Sequence, residues 1–431
     1  MTTAPLIDQA CPFCGLACDD LVLQGGPDLA VRAGGGACPR ATRLYAQVGA
    51  TLQDADARAW IAGAPVPVET AVQEAARLLG RAQAPLFGGL STDVHGMRSL
   101  VALADRCGAV LDHMNADGKL RNLRTVQDAG WITTTLSEVR NRADVVVCFG
   151  SDVRTRFPRF FERCVWVDEP MFAPQAEERE VIFIGAPPGV ELPRSPAGRM
   201  PQVIDIPAGR LPEAAAMLRG LIGGSLPAGT ATDLPLEALR AVAARLHAAR
   251  YGVVVWVAAD MDWPHAELCV QSLTAAIGVL NQTTRAAGLP LGGSDGDFSA
   301  DAVMLWQTGY PYRSSLATGT ARYEPVMNAT AALLARDEID FMLWTGSFDP
   351  ERRPPDPGRA ALVALTCVGT PLLPDAAVQI QIATPGVDAA GYFFRADKVV
   401  ALPLRPMIDR QLPSVAQLAS RWLTGLGVAA C

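Results

Sequence analysis

The chain has 431 residues, 50 % of them hydrophobic and 19 % charged, with a formal net charge of −7. That length can bury the cores of two or three domains. The charge is spread without a basic stripe or polybasic block, which argues against nucleic acid and anionic lipid as partners, and no apolar run is long enough to cross a bilayer.

Residues 1–10 carry neither the basic n-region nor the apolar h-region of a secretion signal, so a soluble cytoplasmic protein is expected. In a reducing compartment, clustered thiols point to metal ligation rather than disulfides. Residues 1–50 hold such a cluster, Cys11-Pro-Phe-Cys14-Gly-Leu-Ala-Cys18 followed by Cys38-Pro-Arg, with Gly34-Gly-Gly36 as a loop ahead of Cys38. The spacing C-x2-C-x3-C-x19-C brings three thiolates to one tight loop and closes a four-sulfur shell with a distant fourth. It suits Zn²⁺ or a [4Fe–4S] cluster equally, and four reduced thiols in an empty loop are the alternative. The remaining six cysteines are scattered; Cys148, inside Val145-Val-Val-Cys-Phe149, reads as a buried small hydrophobe.

Beyond residue 50, apolar segments without polar alternation predict strands at 84–87, 145–149, 165–167, 181–184, 253–257 and 341–344. Ala/Leu/Arg-rich segments predict helices at 69–81, 97–106, 211–221, 235–249 and 266–279. Their alternation implies parallel sheets covered on both faces. Three turns expected after strands, Phe87-Gly-Gly-Leu-Ser-Thr92, Phe149-Gly-Ser-Asp152 and Thr345-Gly-Ser-Phe-Asp349, stand where doubly wound sheets receive phosphates, although glycine and serine also make ordinary strand–helix turns. Arg352-Arg-Pro-Pro-Asp-Pro357 reads as a rigid surface loop. The four histidines, His95, His113, His247 and His265, match no metal or hydrolase spacing; His113, beside Asp112 and Asp117, is the one candidate for a proton relay.

The cysteine unit followed by two α/β regions resembles the molybdopterin oxidoreductase fold. Gln127-Asp-Ala-Gly130, Leu136-Ser-Glu-Val-Arg-Asn-Arg-Ala-Asp144, Gly150-Ser-Asp-Val-Arg-Thr-Arg-Phe-Pro-Arg-Phe160, Leu305-Trp-Gln-Thr-Gly-Tyr-Pro311 and Ala389-Ala-Gly-Tyr-Phe-Phe-Arg-Ala-Asp397 narrow the resemblance to the B subunit of formylmethanofuran dehydrogenase, over nearly the whole chain. The resemblance implies an α/β fold with a small N-terminal Cys-rich domain and two doubly wound domains, lacking the C-terminal β-barrel of single-chain relatives. The expected domains are 1–50 for the cysteine unit, 51–140 with 331–400, an insertion over 141–330, and a tail over 401–431 packing on the core or a partner.

In that family the four N-terminal cysteines, here Cys11, Cys14, Cys18 and Cys38, carry a [4Fe–4S] cluster. Tungsten or molybdenum is held on two pterin guanine dinucleotides, and its protein ligand is a cysteine or selenocysteine followed by histidine, a few residues before the Gln-Asp-x-Gly segment. Counting back from Gln127-Asp128 places that ligand at Gly118 and the histidine at Lys119, and no thiol lies between residues 113 and 124. Glycine has no side-chain donor for a metal and lysine replaces the expected proton-transferring imidazole. Asp152 and the run Glu177-Glu-Arg-Glu180 also set carboxylates where a dinucleotide's phosphates are expected, while Arg154, Arg156 and Arg159 are either anion ligands or ion-paired to nearby carboxylates.

This loss matches the B subunit of the formyltransferase/hydrolase complex of aerobic methylotrophs. That resemblance implies a scaffold without a catalytic site of its own, assembled with A, C and D subunits that move a formyl group from formyl-tetrahydromethanopterin to a furan-bearing carrier and hydrolyse it to formate. No tungsten or molybdenum pterin is expected on this reading, and zinc or a [4Fe–4S] cluster occupies the cysteines, or nothing does. The alternative is a redox-active formylmethanofuran dehydrogenase subunit with its metal on pterin dinucleotides.

Overall fold

A computed structural model describes residues 6–25, 30–53, 56–172, 179–185, 192–227 and 229–426. Cys431, Glu177 and Glu178 therefore lie outside the described residues, as does the end of the expected 401–431 tail. The chain is mixed α/β and divides into two compact units, Met1–Ala116 with Gly293–Cys431, and Asp117–Gly292. Among the described residues no helix is long and apolar enough to cross a membrane.

The N-terminal segment forms the antiparallel strands β1 (Leu6–Gln9), β2 (Leu21–Gly25) and β3 (Val31–Ala33), then helix α1 (Pro39–Val48). Pro39 opens that helix at its first position, where the missing N–H of proline is no loss. There follow β4 (Ala59–Ile61), β5 (Ala64–Pro65), α2 (Val68–Leu79), β6 (Pro85–Ser91), α3 (Val94–Cys107) and β7 (Val110–His113). Asp93 caps α3 by accepting the Gly96 and His95 N–H groups at 3.0 and 3.1 Å, and Gly108 ends it in the left-handed conformation.

The second unit contains α4 (Ala116–Ala129, beginning one residue before the unit boundary), α5 (Leu136–Arg142), β8 (Val145–Phe149), α6 (Val153–Arg156), β9 (Glu180–Ile184), β10 (Gln202–Ile204), α7 (Leu211–Ile222), α8 (Leu236–Ala248), β11 (Gly252–Trp256), α9 (Ala266–Leu280) and β12 (Ala286–Pro290). Its sheet is wholly parallel in the order β10-β9-β8-β11-β12. The chain winds outward from β8 on one side and returns to β11 on the other, so the topological switch lies between β8 and β11. Val147, Ile182 and Val254 share its core with Leu211, Leu218 and Ile277 from the covering helices.

The chain then completes the first unit with α10 (Asp297–Thr308), β13 (Ser314–Ser315), β14 (Arg322–Tyr323), α11 (Thr330–Ala335), β15 (Phe341–Gly346), β16 (Ala361–Thr366), β17 (Ala376–Gln381), β18 (Gly391–Phe394), β19 (Ala401–Leu404) and α12 (Val415–Gly425). The main sheet runs β14-β13-β7-β6-β15-β16-β17-β4-β5, with parallel strands in the middle and antiparallel pairs at both edges. Phe87, Leu343 and Val363 point into one core while Leu86, Met342 and Leu362 point into another, the period of two that a sheet covered on both faces requires. From α12, Leu418, Ala419 and Trp422 enter the first of these cores, and the Trp422 indole donates to the Val72 carbonyl at 3.0 Å.

Three expectations change. The inserted unit spans 117–292 rather than 141–330, because α4 and α5 pack with the five-stranded sheet while β13 joins the edge of the nine-stranded one by pairing with β7. The segment around 165–167 is no strand: Phe161–Val165 is a π-helical turn, whose Cys164 and Val165 carbonyls accept from the Arg179 guanidinium at 3.3 and 2.6 Å instead of from a neighbouring strand. And β6 runs through the expected turn to Ser91, since Gly88 and Gly89 still pair with Trp344 and His113.

Candidate functional site: the cysteine loop and the strand ends

Cys11, Cys14 and Cys18 lie buried in the loop between β1 and β2, each 5–6 % exposed, and half-buried Cys38 caps α1 by accepting the Ala41 N–H at 3.4 Å. The loop closes on itself: Cys11 N donates to the Cys18 carbonyl at 2.8 Å and Ala17 N to that of Cys14 at 3.0 Å. Phe13 packs edge-on against Tyr45, ring centroids 4.7 Å apart. Burial pushes the Cys11 thiol well up, and the neighbouring Cys14, Cys18 and Cys38 add to this against a backbone N–H at Phe13. Burial also raises Cys14, opposed by N–H groups at Leu16 and Ala17 and by Arg40. Cys14, Cys18 and Cys38 thus all lie within electrostatic reach of Cys11, and backbone N–H groups point at the Cys11 and Cys14 sulfurs. Among the described residues, no group of three or more His, Cys, Asp or Glu side chains is placed so that it could hold a metal ion.

The protein itself holds this loop in place. Arg410 reaches the end of α1, donating to the Ala50 and Val48 carbonyls at 2.7 Å each, and its guanidinium pairs with Asp388 at 2.6 and 2.8 Å. Both charged side chains are buried, 3 and 2 % exposed. Ala396 N donates to the Gly15 carbonyl at 2.7 Å. Sequence reading does not single out Arg410 and Asp388, because nothing local joins a C-terminal arginine to a helix some 360 positions earlier.

Gly118 and Lys119 fall in the first turn of α4, which begins at Ala116. At the end of β8, the Ser151 hydroxyl donates to the Phe149 carbonyl at 3.1 Å and accepts the Val257 N–H at 2.9 Å, tying β8 to the end of β11 across the switch point. Asp152 caps α6 by accepting the Thr155 N–H at 3.0 Å. The three arginines are engaged within the unit: Arg154 donates to the Leu192 carbonyl at 3.4 Å, Arg156 pairs with Asp260, and Arg159 grips Glu162 through two hydrogen bonds. Glu180 pairs with Arg199 and Arg245, and Arg179 is buried against backbone carbonyls.

His113 ends β7 with its ring 1 % exposed. Its Nδ1 accepts the Asn115 N–H at 3.1 Å, which assigns the ring proton to Nε2 and makes that atom the donor to the Asp301 carboxylate at 2.8 Å. Tyr312 packs edge-on to the imidazole, centroids 5.4 Å apart. Both nitrogens are thus committed to the fold rather than to a relay, and His95, His247 and His265 are exposed. Replacing His113 by Phe withdraws a donor from a buried carboxylate. The expected loss is about 2–3 kcal/mol of stability in denaturant unfolding, and an unchanged midpoint would show that the pair contributes nothing.

No protein-family model matches the chain. It is 27 % identical over 420 residues to the B subunit of tungsten-containing formylmethanofuran dehydrogenase 2 of Methanocaldococcus jannaschii, covering 93 % of each chain. To the Fhc B subunit of the formyltransferase/hydrolase complex of Methylorubrum extorquens it is 27 % identical over 377 residues, 85 % of this chain and 96 % of that one. Among solved structures, a chain of the Methylorubrum extorquens formyltransferase/hydrolase complex FhcABCD, crystallised with methylofuran, matches with a TM-score of 0.73 at 26 % identity, over 85 % of this chain and 98 % of the other.

Proposed function

We propose, from the homology of this chain to the B subunits of formylmethanofuran dehydrogenase and of the formyltransferase/hydrolase complex, that it is the non-redox scaffold subunit of a formyltransferase/hydrolase complex. Identity does not choose between the two relatives, since it is 27 % to each, and neither does coverage, which is 93 % against 85 % of this chain but 93 % against 96 % of the relatives' own. The observation that carries the choice is Gly118: the position where the dehydrogenase's metal needs a sulfur or selenium donor has no side chain at all.

On this reading the chain assembles in the cytoplasm with A, C and D subunits, which transfer the formyl group of formyl-tetrahydromethanopterin to a furan-type carrier and release formate in one-carbon metabolism. Cys11, Cys14, Cys18 and Cys38 hold zinc or an iron–sulfur cluster, whose contribution here is to cross-link the N-terminal loop. The burial of three of these thiols and the N–H groups around them support that assignment.

Purifying the chain with its co-expressed partners and measuring metals tests the proposal. The expected result is a stable four-component complex that forms formate, with zinc or iron at the stoichiometry of one cysteine site and only traces of tungsten and molybdenum. Stoichiometric tungsten or molybdenum, or a monomer that captures no partner, would overturn it.

A further inference from the structure

The fold family implies a metal ligand in the first turn of α4, and the packing of that turn does not fit one. On leaving the sheet, β11 makes a single 3₁₀ turn, Ala258–Asp260. A Cβ built on Gly118 would stand 3.0 Å from both the Cα and the Cβ of Ala259 and 3.2 Å from its nitrogen. Two of those three atoms are backbone and cannot swing aside as a long side chain would. The helix is stitched to the same turn just beyond the glycine. Arg121 donates to the Ala258 carbonyl at 2.8 Å and pairs with Asp262 at 3.1 Å, and Asn122 accepts the Trp256 indole N–H at 2.9 Å.

Glycine inside a helix costs about 1 kcal/mol relative to alanine, so its presence here goes with the close approach that it permits. The ends of β8 and β9 are filled as well. A Cβ on Gly150 would meet Leu211 Cδ1 at 2.9 Å, and one on Gly185 would meet the same side chain closer still. Small residues at strand ends leave room for a phosphate in nucleotide-binding sheets; here Leu211 occupies that room and the Ser151 hydroxyl bridges the switch point.

We propose that Gly118 is a packing residue, that the seam between α4 and the end of β11 is closed by backbone contact, and that restoring a thiol at 118 would not recreate a metal site. The inference rests on reading Gly118 as the lost ligand position. It is read from melting temperature and thiol accessibility rather than from partner capture, which can succeed whether or not the seam proves closed.

A matched pair of substitutions gives opposite signs. Gly278, inside α9, has nothing within 4 Å of an added Cβ. In the purified complex, Gly278→Ala is expected to raise the melting temperature by relieving the helical glycine, whereas Gly118→Ala lowers it because the added methyl meets Ala259. A rise for Gly118→Ala comparable to that for Gly278→Ala would overturn the proposal. Gly118→Cys provides the second reading: the new thiol is expected to resist maleimide in the native complex and to give no thiolate absorption band on cadmium titration beyond that of the parent complex. Rapid labelling together with an added cadmium band would show an open site and sink the inference.

Discussion

Substituting Arg410 by alanine is expected to lower the stability of the chain by about 3–5 kcal/mol, the range for breaking a buried ion pair from one side, and to unprotect the cysteine loop. Arg410 and Asp388 are 3 and 2 % exposed, so the substitution leaves a carboxylate in the interior without its cation. It also orphans the Val48 and Ala50 carbonyls at the end of α1, the helix that carries Cys38 at its start. The measurement is guanidinium unfolding together with maleimide labelling of the native chain. Cys11, Cys14 and Cys18 should become reactive while Cys148, wholly buried in β8, stays protected. A loss under about 1 kcal/mol, with labelling unchanged, would mean that the pair behaves like a surface salt bridge and that other contacts hold the loop. The same arrangement bears on metal removal. Because Phe13–Tyr45 and Ala396–Gly15 hold the loop, and Arg410 holds the helix that Cys38 caps, chelation is expected to free the thiols while leaving both sheets folded.

The second large effect belongs to Leu211. Replacing it by alanine should cost about 2–5 kcal/mol, the transfer and cavity terms of a buried leucine combined. Leu211 is 1 % exposed and lies against Gly150 and Gly185 at the ends of adjacent strands, where two left-handed glycines give the surroundings little freedom to collapse into the space. Leu211→Met, which keeps the volume, should cost under about 1.5 kcal/mol. Leu268→Ala is the control, because that side chain is 56 % exposed on α9; its loss should stay within about 0.5 kcal/mol. If Leu211→Ala were as mild as Leu268→Ala, the strand ends would not be plugged by this residue, and the closed-crevice account of the second unit would fail.

The two effects have a common meaning. Both lie where the sequence places candidate ligand sites, at the cysteine loop and at the carboxyl ends of parallel strands, and in both places the side chains make internal contacts. The Ser151 hydroxyl binds Val257, Asp152 caps α6, and Arg156 binds Asp260.

Much of this was legible in the chain before any coordinate. The runs Val145-Val-Val-Cys-Phe149 and Val253-Val-Val-Trp256 are strands because they are apolar without alternation, and they occupy adjacent places in a parallel sheet. The helix from Leu211 starts with proline at its second position and shows one apolar face, so it too is local information. The failures are equally local in origin. Cys164-Val-Trp-Val167 has the composition of a strand, but its carbonyls are taken by Arg179, whose reach the composition cannot reveal. Gly88 and Gly89 look like a turn, yet neighbours on both sides keep them in the sheet.

What the sequence determined by itself is chemical: four cysteines at a metal-binding spacing, alternating strands and helices, and a glycine with no side chain to offer a sulfur or selenium ligand. Those conclusions need only atom types and short-range periodicity. Tertiary structure alone decided whether the glycine- and serine-rich strand ends remain open. Their occupants come from residues distant in the chain, Leu211 over Gly150, Val257 on Ser151 and Ala259 against Gly118. A packing contact between segments so far apart leaves no pattern within either one.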